Sequence, residues 1–145
     1  MNRLEGSKSD VKVSDLASSA THTHTLDTKG FSYASVDVAF EPVVAAGTNS
    51  TVAHVLTLQQ GDTTSSFAAI TGFVAGTDYT VPTPSNTTGT TVVRLNVNLE
   101  AKSRYIRLNV TPRADSAVVT AVRLGVAEAV PVDATAAGVQ VFVSG

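Results

Sequence analysis

His22 and His24 stand two apart in "THTHTLDTKGF", residues 21–31. In an extended chain they point to the same side, as two ligands of one metal ion must. A zinc or iron centre needs about three convergent protein ligands, and His54 is the third histidine of the chain. His22, His24 and His54 are therefore the candidate metal ligands.

Their surroundings argue against that chemistry. The pattern invites comparison with cupins, jelly-roll proteins in which a Gly precedes His-x-His and a Glu follows it. Here no Gly lies close before His22, and Asp27 already enters a turn. His54 stands alone in "VAHVL", on the strand face of Val52 and Leu56. The expectation is that His22 and His24 fill polar strand positions and that His54 is a hydrogen-bonded, partly buried histidine. Other chemistry is no better supported. The absence of cysteine rules out thiolates and disulfides. No Gly-x-Ser-x-Gly elbow or P-loop occurs, and the carboxylates scatter over turns and strand ends. A non-enzymatic protein without metal or cofactor is expected.

Composition says what must position such residues. The chain has 145 residues, 43% hydrophobic and 15% charged, which suits one folded domain with a real core. Thr, Val, Ala, Ser and Gly dominate, favouring strand over helix. A net charge of −2 gives no basic excess for nucleic acid. The start, "MNRLEGSKSD", lacks the apolar core of a signal peptide. Arg123 and Glu128 interrupt the most apolar run, so no membrane span is expected. Synthesis and folding in a cytoplasm are the expectation, and the sequons at Asn49, Asn86 and Asn109 read as chance.

Residues 1–19 mix small polar residues with alternating charges and read as an N-terminal arm. Only Leu4, Val11, Val13 and Leu16 could pack there, with one short strand at Val11–Leu16. Period-2 patterns fill residues 20–131. In "TTVVRLNVNLE", Val93, Leu95, Val97 and Leu99 share one face, and Arg94, Asn96, Asn98 and Glu100 the other. "RYIRLNV" alternates Ile106, Leu108 and Val110 with Tyr105, Arg107 and Asn109, and Pro112 ends it. These two segments are expected to pair as a hairpin. Val36, Val38 and Phe40, then Val52, Leu56 and Leu58, then Val118, Val122, Leu124 and Val126 mark further strands. The last of these stops near Pro131, "VPTPSNTTGT" is a surface loop, and residues 132–145 form a tail with one strand, "GVQVFV". The sum is an all-β antiparallel sandwich, jelly-roll or immunoglobulin-like, with an extended N-terminal arm.

The basic residues concentrate late, at Arg94, Lys102, Arg104, Arg107, Arg113 and Arg123. The first expectation is a solvated face with local ion pairs; the alternatives are that Arg94 and Arg107 meet across the expected hairpin or project onto an acidic partner. Tyr105 beside them is either an interface anchor or an ordinary strand aromatic.

"LDTKGF", the strand ending at Phe40, "LTLQQGDTTSSF", "SRYIRLNVTP" and "AVRLGVAEAVP" follow in fixed order. Over residues 20–131 the series resembles a family of small jelly-roll structural proteins of tailed-phage heads. Its best pieces are Asp27-Thr28-Lys29-Gly30 and Ser103-Arg104-Tyr105-Ile106-Arg107-Leu108. The family's usual Trp is replaced by Phe67, since the chain has no Trp. The resemblance implies a capsid decoration, or cement, protein on the outer surface of the virion, assembled in a bacterial cytoplasm. Its partners would be the major capsid protein and itself, as a homotrimer ahead of a dimer, without nucleic acid or membrane. Lys12, Val11 and Val13 of the arm and Arg94, Arg104, Tyr105 and Arg107 would face those partners. "SRYIRL" also resembles a strand of discoidin-type domains, which implies the main rival, a carbohydrate-binding β-sandwich or head-fibre adhesin. A cupin-like metal enzyme is the second.

Overall fold

The alternation in β3 (Tyr33–Phe40) and β6 (Thr91–Asn98) becomes structure directly. Val36, Val38 and Phe40 bury one face, and Val93, Leu95 and Val97 bury the same face of the neighbouring strand. The structure, a computed structural model, describes residues 7–16, 20–41, 54–83, 89–112, 116–126 and 133–145. Leu4, Val52, Asn49, Asn86, Arg113, Glu128, Pro131 and the middle of the "VPTPSNTTGT" loop lie outside the described residues.

The other strands are β1 (Lys8–Leu16), β2 (His22–Asp27), β4 (Val55–Gly61), β5 (Ala68–Val74), β7 (Tyr105–Thr111), β8 (Ser116–Gly125) and β9 (Val141–Ser144). One sheet runs β1-β8-β3-β6-β9 and the other β2-β7-β4-β5. Strand 1 pairs with 8, 2 with 7, 3 with 6 and 4 with 5, all antiparallel. The second half of the chain thus retraces the first, and the doubled ribbon is wound into two facing sheets. This is a jelly-roll β-sandwich. Leu26, Leu56, Leu58, Ile70, Phe73, Ile106, Leu108 and Val110 meet the first sheet's Val and Leu side chains in one core. Among the described residues no helix is long and apolar enough to cross a membrane.

Three expectations change. First, β6 and β7 are not a hairpin, because they belong to opposite sheets. Alternation fixes which face a strand buries, and two such faces satisfy each other equally well across a sandwich as side by side. The connection carries Ala101 at φ 60 and bonds elsewhere: Leu99 N–H to Ser32 O (2.8 Å), Ser103 N–H to Gln60 Oε1 (3.0 Å). Second, the segment read as an arm supplies a nine-residue strand along β8, longer than Val11–Leu16. Third, Val11 and Val13 do not pack inward; they are 61% and 63% exposed. The tail adds a four-residue helix α1 (Ala134–Ala137) and then β9, which lies parallel to β6.

Among the described glycines, Gly61 at the end of β4 leaves the least room for a Cβ. A Cβ on Gly61 would sit 2.1 Å from the Ser66 carbonyl oxygen, whereas one on Gly89 meets nothing within 4 Å. Gly61→Ala is therefore expected to cost about 1–3 kcal/mol or more, and Gly89→Ala to stay within about 0.5 kcal/mol of the parent. Urea unfolding of the two variants checks this; equal stabilities would contradict the turn geometry.

Candidate functional site

β2 is the edge of one sheet and β1 the edge of the other. Period 2 turns His22, His24 and Leu26 inward from β2, and all three are buried. The β1 side chains on the same interior side are Lys8, Asp10, Lys12 and Ser14, paired in register with Leu124, Val122, Thr120 and Val118 of β8. Thr120 is fully buried, the one polar residue in the inward row Val118, Thr120, Val122, Leu124. Along this edge, then, the apolar interior gives way to a polar seam.

Every ring nitrogen of the two histidines has a partner. His22 Nδ1 lies 2.8 Å from Ser14 Oγ and its Nε2 2.9 Å from Thr120 Oγ1. His24 Nδ1 lies 2.8 Å from the same Thr120 Oγ1 and its Nε2 3.2 Å from Asp10 Oδ2. Lys12 Nζ donates to the Thr23 carbonyl at 2.5 Å. Burial, then Lys12, then His24 hold the His22 imidazole below the ordinary histidine range. His24 in turn favours the ionised form of Asp10 by hydrogen bonding to it.

His54 is elsewhere, 5% exposed and stacked on Phe40 with ring centroids 4.0 Å apart. The three histidines therefore do not converge, and among the described residues no cluster of three His, Asp or Glu could hold a metal ion. Asp10, Ser14 and Thr120 were not singled out by sequence. Parity could have found them: Thr120 breaks the apolar row of β8, and the even-numbered positions of β1 from Lys8 to Ser14 are all polar.

Arg94, Arg104 and Arg107 find partners within the chain. Arg94 forks onto Asp37, at 2.7 and 2.8 Å, one strand away rather than across a hairpin. Arg107 does not meet Arg94; its Nε donates to Gln59 Oε1 at 2.8 Å and its guanidinium lies 4.0 Å over the Phe67 ring. Arg104 forks onto Asp27, at 3.1 and 2.6 Å, and lies 5.0 Å over the Tyr105 ring. Thr28 donates from both N–H and Oγ1 to the Arg104 carbonyl, at 2.9 and 2.6 Å. The two best pieces of the sequence pattern, Asp27–Gly30 and Ser103–Leu108, are thus halves of one corner clasp. Gly30, at φ 89, closes its turn.

The outer faces differ. On the β2-β7-β4 sheet, Thr23, Asn109, Gln59 and Arg107 form a hydrogen-bonded polar ladder. On the other sheet, Val13, Val119, Ala39 and Val92 lie in one cross-strand row, joined at its β1 end by outward-facing Val11 and Ala121.

Two titrations follow. Arg104 holds the Asp27 carboxyl down to about 2, against an ordinary 3.8. A lowered carboxylate stabilises above 3.8 and loses that contribution as pH falls towards 2. Arg104→Gln should return the Asp27 titration, read by carboxyl-carbon NMR, towards 3.8; an unmoved titration would deny the clasp. Burial pushes His54 down to about 4 from 6.5. The unfolded chain then binds the extra proton first, so stability falls as pH drops from 6.5 to 4, by on the order of 3 kcal/mol. His54→Phe should reduce the fall in Tm between pH 7 and 4, without abolishing it because His22 is held down in the same sense.

Comparison with protein-family models finds none that matches this chain. Comparison with curated proteins likewise finds no match.

Proposed function

We propose that the chain is a capsid decoration protein of a tailed-phage head, a non-enzymatic virion component that binds and stabilises the assembled shell from outside. The observation that carries the reading is the orientation of β1. This edge strand gives its polar side chains to the seam and its valines, Val11 and Val13, to the outside. A flat row of small apolar residues beside an open strand edge offers a neighbour both backbone pairing and a dry surface. Its partners are the major capsid protein and further copies of itself, as a trimer ahead of a dimer, so that weak contacts multiply. The jelly roll and the clasp of Asp27 and Thr28 with Arg104 suit a stable scaffold that carries such a surface.

Arg94, Arg104 and Arg107 serve this reading mainly as internal fasteners, whereas Lys12, Val11 and Val13 lie on the strand that meets the partner. One observation favours a second reading, carbohydrate binding. A shallow, open depression beside the β4–β5 turn is lined by Gln60, Asp62, Thr63, Ser66, Phe67 and Ser103. It offers hydroxyl-binding groups around one aromatic side chain, part of whose ring is taken by Arg107.

Co-sedimentation with heads purified without this chain tests the reading. The wild type should be an oligomer in solution and bind heads. A Val11→Asp, Val13→Asp double variant should bind at least about tenfold more weakly, the loss of a modest interface anchor, with unchanged Tm. A monomer that fails to sediment with heads would overturn the proposal, and glycan binding abolished by Phe67→Ala would favour the second reading.

A further inference from the structure

β1 is held by its backbone ladder to β8 and by the polar seam to β2. Its valines contribute little, at 61% and 63% exposed. An edge strand held this way opens at a lower free energy than the central strands.

Counting protons fixes the closed state. With one hydrogen on each imidazole, a single assignment satisfies all four ring nitrogens. Ser14 Oγ–H donates to His22 Nδ1 (2.8 Å), and His22 Nε2–H donates to Thr120 Oγ1 (2.9 Å). Thr120 Oγ1–H donates to His24 Nδ1 (2.8 Å), and His24 Nε2–H donates to Asp10 Oδ2 (3.2 Å). The chain of donors runs one way, from β1 through β2 and β8 and back to β1.

The His24 side of the seam holds a carboxylate, Asp10, 3.2 Å from Nε2, and the Thr120 hydroxyl there has a second acceptor in the Lys12 carbonyl, 3.3 Å away. A proton on His22 keeps its hydrogen bonds, because Ser14 Oγ accepts from Nδ1–H, but no carboxylate is among its partners. Its neighbours are the hydroxyls of Ser14 and Thr120, and the charged groups facing the seam are Asp10, Lys12 and Lys8 from β1 and His24 from β2. Asp10 is hydrogen-bonded to His24, leaving Lys12 and His24 nearest His22 in effect. From β8 come only uncharged Val118, Thr120 and Val122, and from β7 Leu108 and Val110.

We propose that the seam is an acid-sensitive latch: with His22 neutral it pins β1, and protonation of His22 releases Lys8–Leu16 while the remaining strands stay folded. The sign follows from linkage. The closed seam keeps His22 below its ordinary 6.5, so the open form binds the proton more readily and gains as pH falls below 6.5. Release bares the β8 edge and frees the strand that carries Val11 and Val13.

Amide hydrogen exchange on the full chain between pH 7.5 and 5.0, corrected for intrinsic rates, tests this. The peptide covering Lys8–Leu16 should lose about tenfold protection or more, while β3 and β6 peptides change less than about threefold. His22→Gln should make β1 protection nearly independent of pH. Lys12→Gln, at an exposed position, removes the cation that opposes the His22 proton and should shrink the acid loss. The latch is refuted if β1 protection is flat in the wild type, or falls in step with β3 and β6. It is equally refuted if His22→Gln keeps the full loss or, should that variant not fold, if Lys12→Gln leaves it unchanged.

Discussion

The whole architecture depends on a single interior shared by two sheets. Each strand must send alternate side chains into it, and the nested pairing of strands 1 to 8 leaves each strand no choice about which alternate set. In the middle of the sandwich the inward set is aliphatic on both sides, and burial of Val36, Val38, Leu95, Leu58 and Leu108 requires nothing else. At the β1–β2 edge the interior meets water, and the inward set becomes histidine, threonine, serine, lysine and aspartate. These groups are tolerated because they hydrogen-bond one another; a lone imidazole there would carry the cost of an unmet polar group.

The sequence made the strands and their faces legible, because alternation is a local property. The burial of Val93, Leu95 and Val97, and of Ile106, Leu108 and Val110, follows from spacing alone. Partnership is not local. β6 pairs with β3 and β9, and β7 with β2 and β4, across tens of residues, and alternation carries no information about that choice. The same limit hid the arginine partners. Arg94 meets Asp37 and Arg104 meets Asp27 only because the ribbon folds back on itself. The histidines were legible as polar strand residues, but the hydroxyl that joins them lies about a hundred residues on, at Thr120.

The two outer faces receive different treatment from the same chain. One sheet covers its exterior with amides, hydroxyls and a guanidinium already bonded to one another. Such a face is satisfied as it stands. The other shows a row of valine and alanine with the Asp37–Arg94 pair beside it. Pairing with Asp37 neutralises Arg94 on this face, whereas Arg123, in register with Ser9 and Ser35, stays exposed there, so a contact made by this second face would combine the apolar row with that cation.

What keeps β1 in this orientation is a competition of comparable terms. A one-residue slip would turn Val11 and Val13 inward and Asp10, Lys12 and Ser14 outward. Full burial of two valines would gain about 3–6 kcal/mol at most, and less at an open edge. The slip would strip the buried His22 of Ser14 and the buried His24 of Asp10, each at about 1–3 kcal/mol for a buried group left unmet, and would break the exposed bond from Lys12 to the Thr23 carbonyl as well. The polar seam therefore sets the register that hydrophobicity alone would not choose. Its outward valines are the consequence, and covering them with another protein surface recovers the apolar term without giving up the seam.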